Sequence, residues 1–258
     1  MKITFASTSQ IGGRDSNQDI TGNLPGEHRA CFLVCDGVAG LPGGDKAAQI
    51  ACDRLLSELS DDRRYSPQET RQAVEKSARS IREVQQINPK LARMSTTLAA
   101  LFIDRDRLLA WWAHAGDSRV YHLRRGYIHQ VTRDHSLAQQ MKDAGYENTG
   151  INSNLLYNAL GAEAEREASY SDVLELEDGD AFLVCTDGFW LNLAPQEMEQ
   201  ALRMVNSPDE WLALMQTAIN RSSKSDNLSA VAVWVGSPQE TTLLQSQSDS
   251  ARFLPPRD

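Results

Sequence analysis

Apolar and β-branched residues crowd into short runs at 29–35, 97–103, 107–113, 118–123, 126–131, 180–186 and 228–235. Runs of this length, bounded by polar or glycine-containing links, predict strands. The links Asp104-Arg105-Asp106 and Arg124-Arg125-Gly126 are short enough to be hairpin turns, so they predict antiparallel pairing. A different rhythm rules 45–59, where Ala48, Ala51, Leu55 and Leu59 share one face, and 67–87, where Val74, Ala78, Ile81 and Val84 do so. Spacings of three and four predict helices there. Weaker versions of the pattern predict further helices near 136–144, 195–204 and 208–221. Strands cluster around paired helices instead of alternating with them singly, which argues for an α+β fold and against a doubly wound sheet. Within the Trp111-Trp112 pair, alternation sends one ring to each face, one into the core and one beneath a helix. Residues 1–236 contain no linker and are expected to form one domain, whereas 237–258 turn polar and predict a disordered tail.

Composition narrows the class. The 258 residues carry 26 Lys+Arg against 35 Asp+Glu, a net charge of −9, with 41% hydrophobic and 24% charged residues. Those values suit a water-soluble protein with one sizeable core. No apolar run approaches the roughly 18 residues of a membrane helix, and Met1-Lys2-Ile3-Thr4 lacks the basic-then-apolar order of a secretory signal. A cytoplasmic location without membrane contact is therefore expected. Cys31, Cys35, Cys52 and Cys185 form no CxxC pair, and three of them lie within apolar runs. They read as buried thiols, not as disulfides or zinc ligands. An acidic chain without a cluster of basic residues also argues against a nucleic-acid partner.

The candidate chemistry lies in aspartates at strand ends. Phe32-Leu33-Val34-Cys35 runs into Asp36-Gly37, and a near copy, Phe182-Leu183-Val184-Cys185-Thr186, runs into Asp187-Gly188. Asp226-Asn227 precedes the run at 228–235, and Asp117 occupies the hairpin corner Gly116-Asp117-Ser118-Arg119 between the runs at 107–113 and 118–123. Asp-Gly is a common turn dipeptide, and any one of these alone reads as a plain turn. Together, on strands of one sheet or of two packed sheets, their carboxylates would converge at one rim. Carboxylates held close raise each other's pKa, and a hard divalent cation (Mg²⁺, Mn²⁺ or Ca²⁺) relieves that repulsion better than zinc does. The segment Gly12-Gly13-Arg14-Asp15-Ser16-Asn17-Gln18-Asp19 reads on its own as a solvated loop. Beside a metal cluster, however, the planar fork of Arg14 fits a phosphate. Carboxylates, cations and one arginine are the equipment for hydrolysing a phosphate ester.

The ordered set Arg14, Asn17-Gln18-Asp19, Asp36-Gly37-Val38-Ala39-Gly40, Ser95-Thr96-Thr97, Gly116-Asp117-Ser118-Arg119, Asp134-His135-Ser136-Leu137, Leu160-Gly161, Thr186-Asp187-Gly188 and Asp226-Asn227 resembles the bacterial type 2C protein phosphatases of the metal-dependent PPM family. Each motif is weak alone, but together and in register they span about residues 5–235. The resemblance implies a central β-sandwich of two antiparallel sheets flanked by helix pairs, with a dimetal site at one rim. It implies two Mn²⁺ or Mg²⁺ ions bridged by Asp36, with Gly37 offering a carbonyl and Asp187 and Asp226 completing the set. A third, weaker metal falls to Asp117, substrate phosphate to Arg14, and orientation of the attacking water to Asp19. The implied activity is hydrolysis of phosphoserine and phosphothreonine in proteins. Its substrates would be targets of a bacterial Ser/Thr kinase, with type VI secretion control as a candidate pathway and a monomer as the working form.

Departures from the family pattern matter. Val38 stands where eukaryotic relatives often carry a histidine that protonates the leaving group, which leaves His114 and His135 as candidates by residue type only. Gln18 replaces a glutamate, Ser95 a glycine, and Thr186 a serine. The stretch 136–158, where the family carries a flap, reads equally as a lid or an inert loop. Trp190 lies near the proposed site, and the Arg63-Arg64 and Arg124-Arg125 pairs read as solvated turn charges. Two other functions fit parts of the pattern. One is a phosphoprotein-binding pseudophosphatase, which retention of Asp36, Asp187 and Asp226 opposes; the other is a dimetal phosphodiesterase, which the missing basic stripe opposes.

Overall fold

The apolar runs fold into two antiparallel sheets packed face to face. A computed structural model of the chain describes residues 1–40, 42–61, 64–146, 150–152, 155–164, 166–221 and 226–238. The first sheet contains β1 (Ile3–Gln10), β6 (Arg119–Arg124), β7 (Tyr127–Val131), β10 (Ala181–Cys185) and β11 (Leu228–Val235), in the order β1-β11-β10-β6-β7. The second contains β2 (Asp19–Pro25), β3 (Arg29–Asp36), β4 (Leu98–Asp104) and β5 (Leu109–Ala115), in that order. Two short strands, β8 (Ser169–Tyr170) and β9 (Leu174–Glu175), pair with the outer edge of β5.

Alternation along the central strands fills three apolar layers. Ala30, Phe32 and Val34 of β3 meet Val231, Val233 and Val235 of β11 between the sheets. Cys31, Leu33 and Cys35 point the other way, into a layer shared with α1 (Gly44–Glu58) and α2 (Pro67–Ile87). On the opposite outer face, Ala230, Ala232 and Trp234 pack with α5 (Pro195–Met204) and α6 (Pro208–Ile219). Covered on both faces, these strands read as unbroken apolar runs. The tryptophan pair divides as the alternation predicts. Trp112 lies between the sheets, while Trp111 faces α2 and donates from Nε1 to Thr70 Oγ1 at 2.8 Å.

Local chemistry sets the helix starts. Ser66 and Glu69 form a reciprocal capping box (Glu69 N to Ser66 Oγ 3.2 Å, Ser66 N to Glu69 Oε2 2.8 Å) with Pro67 in the first turn. The start of α1 lies against the Asp36-Gly37 turn so closely that a Cβ on Gly37 would stand 2.3 Å from the carbonyl carbon of Gly44. Glycine at 37 is what lets that helix pack against the end of β3. A shorter α3 (Leu137–Asp143) and a single-turn α4 (Asp187–Trp190) complete the helices that bear on the site.

Three expectations need correcting. The corner at 116–119 does not join hairpin partners: β5 and β6 belong to different sheets, so Asp117 sits on a crossover between them. Arg124 is no solvated turn charge, because its side chain is 18% exposed and grips Asp180 through Nε (2.7 Å) and Nη2 (2.8 Å). The sequence pattern also missed β1 and β2, whose exposed Ser and half-buried Thr and Asn positions hide the strand signal. All four cysteines are buried and free. Among the described residues no helix is long and apolar enough to cross a membrane. Arg63 and residues 239–258 of the polar tail lie outside the described residues.

Candidate metal centre

Strand register brings the acidic residues to one rim. Across β2 and β3, Asp19 lies directly opposite Asp36. In the other sheet, Asp187 follows the end of β10 while Asp226 and Asn227 lead into its neighbour β11. The crossover delivers Asp117 between the two. Asp36, Gly37, Asp117, Asp187, Asp226 and Arg14 all line one cavity of about 410 Å³. Asp19 stands behind that wall at 4% exposure, its Oδ2 accepting from Thr186 Oγ1 at 2.9 Å. Every residue predicted for the site is thus in it or immediately behind it.

Neighbouring polar residues hold this geometry. Thr97 Oγ1 accepts from Asp36 N (3.0 Å), while Thr96 Oγ1 (2.9 Å) and Thr97 N (2.8 Å) both donate to Asp36 O. The Ser95-Thr96-Thr97 motif therefore clamps the backbone that carries Asp36. Asn227 does the same for the N-terminal loop: its Nδ2 donates to Ile11 O (2.7 Å) and Ser16 O (2.9 Å), and its Oδ1 accepts from Gln18 N (2.9 Å). That staple sets Arg14 at the mouth, where Nη2 donates to Asp226 Oδ2 at 2.8 Å. Neither role is readable from the sequence, since both depend on backbone partners distant along the chain.

Electrostatically the cluster is under-compensated. Burial pushes Asp36 well above the usual carboxylate range, and the charges of Asp19, Asp187, Asp117 and Asp226 add to it. Asp117 rises to about 7, first through burial and then through Asp187 and Asp134. Burial also lifts Asp19 to about 6 against hydrogen bonds from Ser229 and Thr186, and lifts Asp187 with help from Asp226. Asp19 and Asp187 are the two charges that act most strongly on Asp36, a crowding that without a cation favours protonated carboxyls.

The donor set fits a divalent cation. Asp19 Oδ1 and Asp187 Oδ1 are buried without any hydrogen-bond partner, a costly state for carboxylate oxygens unless an ion claims them. All nearby donors are oxygens, which selects Mg²⁺ or Mn²⁺ over zinc. Among the described residues no three acidic, His or Cys side chains already close into a finished coordination cage. That openness is compatible with Mg²⁺, which retains several waters and takes few protein ligands.

The histidine candidates for proton donation fail. His114 Nε2 is engaged with Arg133 O (2.8 Å), and His135 presents Nδ1 to Gly116 N (3.3 Å) and Nε2 to Ser169 Oγ (2.9 Å). Burial lowers both, His135 to about 4, so they are neutral. Neither lines the cavity. Their rings lie 4.4 Å apart, tilted by 30°, and His135 buttresses the crossover through Gly116. Val38 does line the cavity, as expected of a position that offers no proton.

Two sheets, flanking helix pairs and a rim of carboxylates suit a metal-assisted phosphate hydrolase, and comparison with known proteins gives the class. The profile of the family Protein phosphatase 2C matches residues 7–231. The chain belongs to that family and is a protein phosphatase. It is 28% identical over 255 residues to the serine/threonine phosphatase stp of Listeria welshimeri, covering 92% of this chain and 95% of that one. Its fold superposes on the catalytic domain of the serine threonine protein phosphatase PstP in complex with 2 manganese ions with a TM-score of 0.78, at 27% identity over 91% of this chain and 98% of that one. PppA, a regulatory component of T6SS in Pseudomonas aeruginosa, gives a TM-score of 0.75 at 25% identity, again over 91% and 98%.

Proposed function

We propose that the protein hydrolyses phosphoserine and phosphothreonine in protein substrates at this rim, using two Mn²⁺ or Mg²⁺ ions held by Asp36, the Gly37 carbonyl, Asp187 and Asp226. Asp117 would hold a third ion more weakly. When bound, such ions supply Lewis acidity and lower the pKa of water near neutral pH. Arg14, already at the mouth, offers its planar fork to the substrate phosphate. Asp19, behind Asp36 and tied to Thr186, orients the attacking water from the closed side. With Val38 in place of a histidine, and with His114 and His135 committed to the scaffold, no histidine protonates the leaving oxygen.

The observation that carries this reading is the pair of orphaned carboxylate oxygens, on Asp19 and Asp187, beside an acidic cavity with one arginine at its mouth. Phosphate release from a phosphothreonine peptide tests it. Turnover should require added Mn²⁺ or Mg²⁺, stop with chelator, and be absent on DNA and RNA. A chain that binds the phosphopeptide but never turns it over under any metal would overturn it.

The expected biological setting is reversal of a bacterial Ser/Thr kinase, by a monomer in the cytoplasm. Likeness to the Pseudomonas aeruginosa regulator supports type VI secretion control as the pathway. Phosphoproteomes of cells with and without the gene would show the substrates, and accumulation of phosphothreonine on secretion components is the expected result.

A further inference from the structure

Asp117 stands on a crossover that other residues hold on every side. Gly116 has φ +97°, and a Cβ there would meet Thr97 Cγ2 at 2.7 Å, so the turn closes against the motif that clamps Asp36. His135 brackets the same glycine, its N donating to Gly116 O (2.9 Å) and its Nδ1 accepting from Gly116 N (3.3 Å). One backbone group of the turn is reached from the other sheet's helix. Trp190 Nε1 donates to Asp117 O at 2.9 Å. Trp190 is the last residue of α4, whose first residue is Asp187, another carboxylate of the centre.

The indole is itself fixed. The Arg119 guanidinium lies 3.3 Å from the centre of the Trp190 ring. That guanidinium is fastened in turn by Asp134, through Nε and Nη2 at 2.7 Å each, and by Tyr121 OH at 2.8 Å. Asp134 adjoins His135, so the contacts close a ring: Gly116, His135, Asp134, Arg119, Trp190 and Asp117. Arg119 is too committed to serve as a phosphate ligand, and burial with a bidentate carboxylate leaves it a permanent planar support.

We infer that Trp190 is a positioning residue that fixes the distance between Asp117 and Asp187, and through it the affinity of the weakest metal. This deepens the reading of Asp117 as a metal ligand and rests on it. The indole N–H spans from the helix carrying one ligand to the turn carrying another, and stacking on Arg119 removes the rotamer freedom that would blur that span. Ligands on rigid supports lose less entropy when they capture an ion, so loosening the indole should act on metal binding without touching substrate binding.

Trp190→Phe keeps a ring for Arg119 and deletes only the N–H donor. Mn²⁺ calorimetry on this variant should show the weakest site loosened about three- to tenfold, as expected for one hydrogen bond, with the tighter sites unchanged. The Mn²⁺ concentration for half-maximal kcat should rise by the same factor, and KM for phosphopeptide should stay within twofold. Arg119→Lys, which removes the planar support but leaves the indole, should show the same split and decides the matter if Trp190→Phe does not fold. Wild-type Mn²⁺ affinities and requirement in the folded variant, whatever its melting temperature, overturn the positioning role. Asp117→Ala run in parallel separates the two ideas. Loss of the weak site there beside a normal Trp190→Phe defeats only the role of Trp190, whereas Asp117→Ala with every metal site and wild-type kcat defeats the reading of Asp117 itself.

Discussion

Strand β10 ends in a buried carboxylate at both tips, and the two are treated in opposite ways. Asp180, just before the strand, is fully buried and accepts from Arg124 Nε (2.7 Å) and Nη2 (2.8 Å), from His122 Nε2 (3.0 Å) and from Glu177 N (2.8 Å). Burial pushes its carboxyl upward, but these hydrogen bonds outweigh it and hold it below the usual range. Asp187, just after the strand, faces other carboxylates, keeps one buried oxygen unpartnered and is pushed upward. A buried acid that the protein neutralises with its own cation is scaffold. A buried acid left among other acids is a place for an ion supplied from outside.

The largest break in this contrast should come from Asp36→Asn. Removing the Asp36 charge, which lies opposite Asp19 and lines one cavity with Asp187, should lower kcat by about a thousandfold or more, since metal assistance is worth several kcal/mol. Circular dichroism should show an intact fold, because the substitution relieves repulsion. Asp180→Ala should do the reverse. It leaves the buried His122 Nε2 without its partner and Arg124 with Glu177 as its remaining carboxylate (2.8 Å), which costs about 3 kcal/mol of stability, while kcat per folded molecule and Mn²⁺ affinity stay unchanged; denaturant unfolding beside steady-state kinetics checks both.

Arg14→Ala is the next smaller effect. Loss of a charge-assisted contact of about 1.5–3 kcal/mol predicts a ten- to hundredfold fall in kcat/KM for phosphopeptide. Kinetics within twofold of wild type would remove Arg14 from the site.

The smallest effect, and the one that sharpens the comparison most, is pH dependence without metal. Asp117 and Asp19, raised to about 7 and 6, favour the folded state when protonated. Their contribution is complete below the ordinary carboxylate value near 4 and is lost as pH rises through 6 to 7. Asp180, being lowered, contributes above that ordinary value and loses its contribution only as pH falls below it. The metal-free melting temperature should therefore decline between pH 5 and 8. Added Mn²⁺ should restore it at pH 8 and do little at pH 5. A melting temperature that rises steadily over that interval without metal would contradict the assignment of strain to the rim.

How much of this was legible in the sequence follows from what each feature depends on. The central strands and α2 declare themselves because burial on both faces, or on one helical stripe, leaves a periodic trace. Asp36, Asp117, Asp187 and Asp226 could be found because they end or separate such runs. β1 and β2 could not, since edge-like strands such as Asp19–Pro25 mix Thr, Gly and Asn with apolar positions. The crossover at Asp117 looked like a hairpin because sequence shows a turn but not which sheet the next strand joins. Arg124 looked solvated because its partner Asp180 lies far along the chain, and the same holds for Asn227, Thr97 and Trp190, whose work is done on distant backbone atoms.

The central claim is that the carboxylates of the Asp36 rim hold protons in the absence of metal and surrender them to divalent cations. Mn²⁺ titration calorimetry of the metal-free protein at pH 6, in two buffers of different ionisation enthalpy, measures this directly. The account predicts at least two bound ions with protons released on binding, the release shrinking toward pH 8 and the sites weakened together in Asp36→Asn. Binding that releases no protons, or that survives Asp36→Asn unchanged, would contradict it.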